Sequence, residues 1–145
     1  DDAPESPTHL SWQQRLASIT GFYDRKEITS FLGETALPAL EAVAAQFRES
    51  GLAPEMVQRE DQVELTVPHG DRGMFRYAVR ARSFRSPSFA WAESGNAAPD
   101  SRHFRAMAHG SETDQQHDVT GYTRDQLIND LLNRYARFRH VRRLA

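Results

Sequence analysis

Arginines alternate with apolar residues in two stretches that are typical of β-strands, "MFRYAVRARSF" and "RHFRAMAH". Because successive side chains of a strand point to opposite faces, Arg76, Arg80 and Arg82 share one face of the first strand. Arg105 belongs to the basic face of the second. Guanidinium groups arranged in this way suit carboxylates and phosphates. We therefore interpret these four residues as a candidate surface for an anionic partner.

The same arginines have two alternative explanations. They can pair with acids that precede them in the chain, at Glu60, Asp61 and Glu64, and this alternative stays open. They can also bind RNA, but a sheet that reads RNA carries aromatic and basic side chains on the same face. Here Phe75 and Tyr77 have the opposite parity, so we predict no nucleic-acid partner.

A second group of basic residues follows Asn133. It contains Arg134, Arg137, Arg139, Arg142 and Arg143, with His140 among them. The dipole of a helix favours positive charge near its C-terminal end by about 0.3 to 1 kcal/mol per residue. This effect explains some of these arginines but not all five, so we add them to the candidate surface for an anionic partner.

Other chemistries lack local support. The sequence has no GxGxxG, GxxxxGK[ST], HExxH or GxSxG motif and no cysteine, so nothing indicates a nucleotide, zinc-hydrolase or esterase site. Its six histidines are scattered, whereas a metal site needs ligands that converge. We predict no enzyme, no metal and no cofactor. The polar stretch 110–121 lacks the residue order of a calcium-binding loop, and we interpret it as a plain loop.

A short amphipathic helix is predicted near the N-terminus, with Ser11 as its N-cap. Trp12, Leu16 and Ile19 fall on one stripe of this helix. We expect the stripe to pack in the core. The positions of the aromatic residues do not predict a cage around a cation.

Two longer helices are predicted. The first spans about 24–50, with a kink expected near Ala36 and Leu37, because the proline that follows them removes a backbone hydrogen bond and crowds the preceding turn. The last helix begins with a capping box formed by Thr123 and Gln126. Its apolar stripe, which we expect to be buried, consists of Leu127, Ile128, Leu131, Leu132, Tyr135 and Phe138.

Between these helices the period of the apolar residues changes from about 3.6 to 2. Four strands are predicted, at 53–60, 62–68, 74–84 and 102–109, in antiparallel meander order. The segment 85–101 is predicted to be an exposed loop. A sheet that is apolar on one face needs a cover. The predicted fold is therefore a two-layer α+β domain, in which N- and C-terminal helices cover one face of a four-stranded, mainly antiparallel sheet.

The length of 145 residues fits one domain. We predict a linker at 1–10 and a single domain at 11–145. No apolar run approaches the roughly 20 residues that cross a bilayer, and no signal peptide is recognised, which predicts a soluble, cytoplasmic chain. Residues 1–64 hold 12 acids and 5 bases, whereas residues 65–145 hold 8 acids and 13 bases. The candidate surface for an anionic partner therefore lies in the basic half.

Four stretches of the chain have a characteristic order and spacing. They are "ETALPALEAVAAQFRESGL", "FRYAVRARSFRSPSFA", "HFRAMAHGSE" and "GYTRDQLINDLLNRYARF". Together they resemble the cytosolic C-terminal region of the high-affinity choline transporters, in the betaine/carnitine/choline transporter family. The resemblance extends from about Trp12 to Arg139 and is most specific at Pro38, at "PSFA" and in the last stretch. The segment "HGSETDQQHDV" departs from the acidic segment that the family usually has at this place.

The resemblance implies a fragment of a sodium- or proton-coupled carrier that imports choline for conversion to the osmoprotectant glycine betaine. It places the substrate and ion sites in a transmembrane part, so no choline-binding residue is carried over to this chain. The implied role is a regulatory domain on the cytoplasmic side of the bacterial inner membrane, which responds to osmotic stress and has the transmembrane part of the same transporter as its partner. Anionic lipid headgroups and further copies of the chain stay open as partners. A stand-alone domain that binds a small ligand or an anion is the alternative.

Overall fold

The computed structural model describes residues 12–85, 102–111 and 113–144. Its helices are α1 (Trp12–Thr20), α2 (Arg25–Phe31), α3 (Leu37–Glu49) and α4 (Arg124–Leu144). Its strands are β1 (Glu55–Arg59), β2 (Gln62–Pro68), β3 (Met74–Arg85), β4 (Arg102–Gly110) and β5 (Thr113–Asp118). A π-helical segment, Leu32–Ala36, joins α2 to α3, and a short 3-10 turn, Gly70–Arg72, precedes β3. The predicted linker at 1–10, the cap Ser11 and the loop after Arg85 lie outside the described ranges.

The strands form one antiparallel sheet in the order β1-β2-β3-β4-β5. This confirms the predicted α+β class and the antiparallel sheet, but the predicted number of four strands was wrong. The fifth strand, Thr113–Asp118, lies in the stretch that we interpreted as a plain loop. Its sequence, TDQQHD, contains no apolar residue. Because β5 pairs with only one neighbour, at the edge of the sheet, the alternation that marks a half-buried strand is missing there.

One face of the sheet and three of the helices share a single core. Across the sheet, Val63 pairs with Val79 and Val79 pairs with Ala108, so these side chains point to the same side. They belong to a cluster of buried residues that also includes Ile28 of α2, Leu40 of α3 and Leu131 of α4. In the predicted stripe of α4, only Leu132 is largely exposed.

Local sequence signals explain how the long helices begin. Asp24 caps α2, because its carboxylate accepts a hydrogen bond from the backbone N–H of Glu27 at 2.7 Å while the Glu27 carboxylate accepts one from the N–H of Asp24 at 2.8 Å. Thr123 and Gln126 form the predicted box before α4, at 3.1 and 2.8 Å. Before Pro38, where we predicted a kink, the chain forms the π-helical segment, in which the N–H of Leu37 bonds to the carbonyl five residues earlier.

Helix α1 contradicts the expectation that its apolar stripe is buried. Trp12, Leu16 and Ile19 are instead largely exposed. The main contacts between helices and sheet in the described residues are made by the other helices: α2 contacts β3 and β4, α3 contacts β1 and β2, and α4 contacts β3. Helical periodicity identifies the apolar side of a helix, but it does not say what covers that side.

Within the described ranges, no helix is both long enough and apolar enough to cross a bilayer.

Candidate functional site

Strands β3 and β4 bring the four predicted arginines together on the sheet face opposite the core. Arg82 lies directly opposite Arg105 in the register of these strands. Arg76 and Arg80 continue the row along β3, at the alternation that the sequence predicts. We call the surface formed by Arg76, Arg80, Arg82 and Arg105 the arginine face.

Two members of the arginine face form ion pairs. The Arg76 Nε lies 2.6 Å from a carboxylate oxygen of Glu64 on β2. The Arg105 Nε lies 2.6 Å from a carboxylate oxygen of Asp118 on β5. The pairing between arginines and preceding acids is therefore present at Glu64, whereas the carboxylate of Glu60 lies 3.9 Å from Arg25. The arginine face is partly neutralised by its own neighbours.

Arg82 and Arg80 have different surroundings. The Arg82 guanidinium donates a hydrogen bond to the neutral amide oxygen of Gln116 at 3.0 Å and lies 5.6 Å from the centre of the Phe84 ring. Among the described residues, neither Arg80 nor Arg82 forms an ion pair with a carboxylate. Positive charge on the arginine face is thus least compensated at these two residues.

His109 pairs in register with Ala78, which lies two residues before Arg80 on the same face of β3. His109 is therefore a neighbour of Arg80 on the arginine face. The Nε of Arg80 and the Nε2 of His109 are buried, and within the described residues neither has a hydrogen-bond partner. Burial, and secondly the charge of Arg80, lower the pKa of His109, which favours the neutral imidazole at neutral pH. Unpaired buried polar atoms cost free energy unless a water or a ligand satisfies them. Strand parity places His109 on this face, but no spacing in the sequence indicates the unpaired atoms.

An open groove of about 570 Å³ lies beside the Arg105 end of this surface. Its walls include Phe22, Phe84 and Met107, and the ring of His103 packs against both phenylalanines at centroid distances of 5.0 and 5.8 Å. Burial, followed by the charge of Arg105, lowers the pKa of His103. The groove therefore presents mainly apolar walls and one ion pair, Arg105 with Asp118.

The C-terminal arginines whose side chains are described differ in their surroundings. Arg134 is only 2 % exposed and lies between α4 and the sheet. Arg139 is half buried and interacts with Tyr135, whose pKa burial raises. Arg137 is exposed. The side chains of Arg142 and Arg143 lie outside the description, so their contribution to an anionic partner stays a prediction.

Arg134 takes part in a polar network between α4, β3 and β5. The Tyr77 hydroxyl donates to one oxygen of Asp130 at 2.6 Å, and the Nε2 of His117 lies 3.0 Å from the other. Arg134 donates to the Nδ1 of His117 at 2.8 Å. An arginine can only donate, so this Nδ1 is the acceptor and the Nε2 carries the hydrogen that is shared with Asp130.

The network holds the fold together and resembles a catalytic relay only in its residue types. Tyr77 is fully buried in the core, and burial together with the hydrogen bond to Asp130 raises the pKa of its hydroxyl. A reacting group needs access to substrate, which this hydroxyl lacks. The spacing of Asp130 and Arg134 is the usual one for an ion pair on a helix, but nothing in the sequence indicates that Tyr77 and His117 join them.

Within the described ranges, no group of three or more His, Asp or Glu side chains is arranged to hold a metal ion.

The sequence is similar to segments of several transporters. It is 30 % identical over 128 aligned residues to a glycine betaine transporter of Acinetobacter baylyi, an alignment that covers 88 % of this chain and 19 % of that protein. It is 29 % identical to the high-affinity choline transport protein of Escherichia coli and 27 % identical to the osmo-dependent choline transporter BetT2 of Acinetobacter baylyi. Each of these alignments covers 94 % of this chain and 21 % of the relative. Nearly the whole chain is homologous to one segment of the choline and glycine betaine transporters.

This homology has a defined extent. The chain spans about a fifth of the length of the transporters that it matches. No family model matches the sequence. The relatives are transporters and not enzymes, which supports the prediction that this homologous segment is not an enzyme.

The ion pair at the groove leads to a prediction about the pKa of Asp118. Burial would raise this pKa, but hydrogen bonds from Arg105 and Thr120 and the charge of Arg105 hold it below its ordinary value of 3.8. A lowered pKa stabilises the fold above the ordinary value, and this stabilisation is lost as the pH falls through the pKa of the folded state. We expect Arg105→Gln to raise the pKa of the Asp118 carboxyl, as measured by an NMR titration of the carboxyl carbon.

The matched control is Arg102→Gln, because Arg102 lies on the same strand but donates to Ser83, at 3.0 Å. This control should leave the pKa of Asp118 unchanged. An equal pKa in Arg105→Gln and in the unaltered chain would contradict the assignment.

Proposed function

We propose that this chain is a cytosolic regulatory domain of a secondary choline transporter and that it adjusts transport to osmotic stress. The observation that carries the proposal is the homology of about nine-tenths of the chain to one segment of transporters for choline and glycine betaine. One of these relatives is named an osmo-dependent choline transporter. The transported choline would supply the synthesis of glycine betaine, and the partner of the domain would be the transmembrane part of the same transporter.

The site geometry suggests how such a domain would contact its partner. Arg80 and Arg82 carry the least compensated charge of the arginine face, and we propose that they bind acidic groups of the transporter. Exposed ionic contacts weaken as salt rises, because the Debye length falls from about 10 Å at 0.1 M to about 3 Å at 1 M. A domain held by such contacts would respond to the internal salt concentration, which rises with external osmolality.

The experiment is a choline uptake assay in whole cells. A chimera in which this chain replaces the aligned segment of the Escherichia coli relative is compared with the same transporter lacking that segment, at low and at high osmolality. We expect both to transport choline. Deletion should change the ratio of uptake at high to low osmolality by about fivefold or more, the range of a typical coupling between sites.

Two variants of the chimera test the arginine face. Arg80→Gln with Arg82→Gln should shift the osmolality at which uptake rises. The control, Arg25→Gln, removes an exposed arginine that lies on α2 near Glu60 and should leave the response unchanged. Equal osmotic responses of the chimera and the deleted transporter, or complete loss of uptake with normal membrane insertion in the deleted one, would contradict the regulatory role.

The groove beside Arg105 favours a second candidate function, the binding of a small ligand. Its aromatic walls at Phe22 and Phe84, next to the Arg105 and Asp118 ion pair, suit a ligand that combines an apolar body with a charged group. Thermal unfolding of the chain with and without small amphipathic metabolites distinguishes this function from a purely regulatory contact. A ligand that raises the unfolding temperature would favour the binding function.

A further inference from the structure

Helix α1 presents an apolar stripe to solvent. Trp12 is 70 %, Leu16 51 % and Ile19 75 % exposed. Their spacing of four and three residues places them on one side of the helix. Large apolar side chains grouped on one surface, rather than scattered, mark a site of interaction.

The C-terminal end of α1 is held against the rest of the domain. The carbonyl of Gly21, directly after α1, accepts a hydrogen bond from Arg105 at 2.9 Å. Gly21 has a φ of +76°, and a Cβ at this position would lie 3.0 Å from the Arg105 guanidinium. Glycine is therefore favoured there by its backbone conformation. This hydrogen bond joins the residue after α1 to β4, while the stripe of α1 stays exposed.

The charge of α1 indicates what covers the stripe. The helix sequence, WQQRLASIT, contains no acidic residue, although the first 64 residues of the chain carry a clear excess of acids. Its basic residue, Arg15, is exposed and lies beside Trp12 and Ile19, at spacings of three and four residues, at the edge of the stripe. An apolar stripe with tryptophan and a flanking arginine is the arrangement found in helices that lie in the interface of an anionic bilayer.

We propose that α1 binds the surface of an anionic lipid bilayer, with Trp12, Leu16 and Ile19 inserted at the level of the headgroups and Arg15 among the lipid phosphates. The proposal rests on the proposed function in one respect, since a domain of a membrane transporter has a bilayer within reach. Helix α1 is about 13 Å long at 1.5 Å per residue, so it inserts few side chains. This contact would orient the domain beside the membrane rather than anchor it alone.

The test uses Trp12 as the probe. The chain contains two tryptophans, so a Trp91→Phe background makes Trp12 the sole source of tryptophan fluorescence. Vesicles of phosphatidylglycerol and phosphatidylcholine should shift the emission of Trp12 to shorter wavelength and protect it from acrylamide quenching. Vesicles of phosphatidylcholine alone should bind less, because they lack the charge that attracts Arg15.

The deciding variant is Leu16→Gln with Ile19→Gln in this background. Because this variant removes two of the three large apolar side chains that would enter the bilayer, its vesicle affinity should fall about tenfold or more. The matched control, Met74→Gln with Leu132→Gln, alters two exposed apolar residues on other elements and should bind as before. Circular dichroism verifies that each variant is folded.

Three results would overturn the proposal: no change in Trp12 emission with anionic vesicles, equal binding of the α1 variant and the control, or a change that depends on protein concentration without lipid. The last would show that a second copy of the chain covers α1. These readouts are independent of choline uptake. Loss of vesicle binding with an intact osmotic response refutes only the lipid contact, and the reverse refutes only the regulatory role.

Discussion

Asp130→Ala is expected to lower the free energy of unfolding by about 3 to 5 kcal/mol, the usual effect of removing one partner from a buried charged pair. Asp130 accepts the Tyr77 hydroxyl hydrogen bond at 2.6 Å and lies 3.0 Å from the His117 Nε2. Its carboxylate also lies 3.8 Å from the Nε of the buried Arg134. Alanine would leave a guanidinium and a hydroxyl in the interior without this acceptor.

Chemical denaturation measures this loss. The control, Asp130→Asn, keeps an oxygen for the Tyr77 hydroxyl but removes the charge, so its loss should be smaller. In a double variant, Asp130→Ala with Arg134→Met, the loss should also be smaller than in Asp130→Ala alone, because no buried charge is left. A loss below about 1 kcal/mol in Asp130→Ala, the size of an ordinary exposed ion pair, would contradict the account of the network.

The second large effect is expected from Phe75→Ala, which should lower the free energy of unfolding by about 3 to 5 kcal/mol. Phe75 is fully buried, and its ring lies 5.0 Å from that of Tyr135 and 5.5 Å from that of Phe138. These contacts join β3 to α4. Alanine would remove the apolar area and leave a cavity between the sheet and the helix.

The neighbouring residue provides the control for Phe75→Ala. Met74 precedes Phe75 on β3 and points to the opposite face, where it is exposed. Met74→Ala should change stability by less than about 0.5 kcal/mol. Phe75→Leu should fall between the two, because leucine retains most of the apolar volume. Similar losses for Met74→Ala and Phe75→Ala would mean that β3 does not pack against α4 as described.

Elements with strong local signals were predictable from the sequence. The alternation in β2 and β3 gave both the strands and the faces of their side chains, including the parity that unites Arg76, Arg80 and Arg82. The capping box at Thr123 fixed the start of α4. These signals are local, because side-chain direction in a strand and hydrogen bonding at a helix end depend on a few neighbouring residues.

Features that depend on distant parts of the chain were missed. Strand β5 has no apolar residue, and its pairing with β4 defines it as a strand. The stripe of α1 has the pattern of a core helix, yet the main helix contacts with the sheet are those of α2, α3 and α4. Arg134 sits in a basic run at a helix end, but its position on α4 turns it toward His117 and Asp130. Burial of an arginine depends on such partners and has no signature in spacing alone.

Only a part of the candidate site could therefore be predicted from the sequence. The arginine face follows from strand parity, whereas its uneven neutralisation follows from which acids and amides face it. Glu64 neutralises Arg76, but the residue that meets Arg82 is the amide of Gln116. The groove beside Arg105 could not be predicted from the sequence either, because its walls come from the end of α1 and the residues after it, and from β3, β4 and β5.

The π-helical segment Leu32–Ala36 determines the rotational phase between α2 and α3. Buried side chains recur every four residues from Ile28 through Leu32 to Ala36, a longer step than the 3.6 residues of an α-helical turn. The widened turn thus keeps the buried side chains of α2, of the π-helical segment and of α3 on the same side of the continuous helix. If the same residues formed a regular α-helix, the twelve steps from Ile28 to Leu40 at about 100° each would leave Leu40 about 120° away from the side on which Ile28 lies. Leu40 would then leave the core. The alignment of the buried side of α3 with that of α2 therefore depends on the extra residue in the π-helical turn.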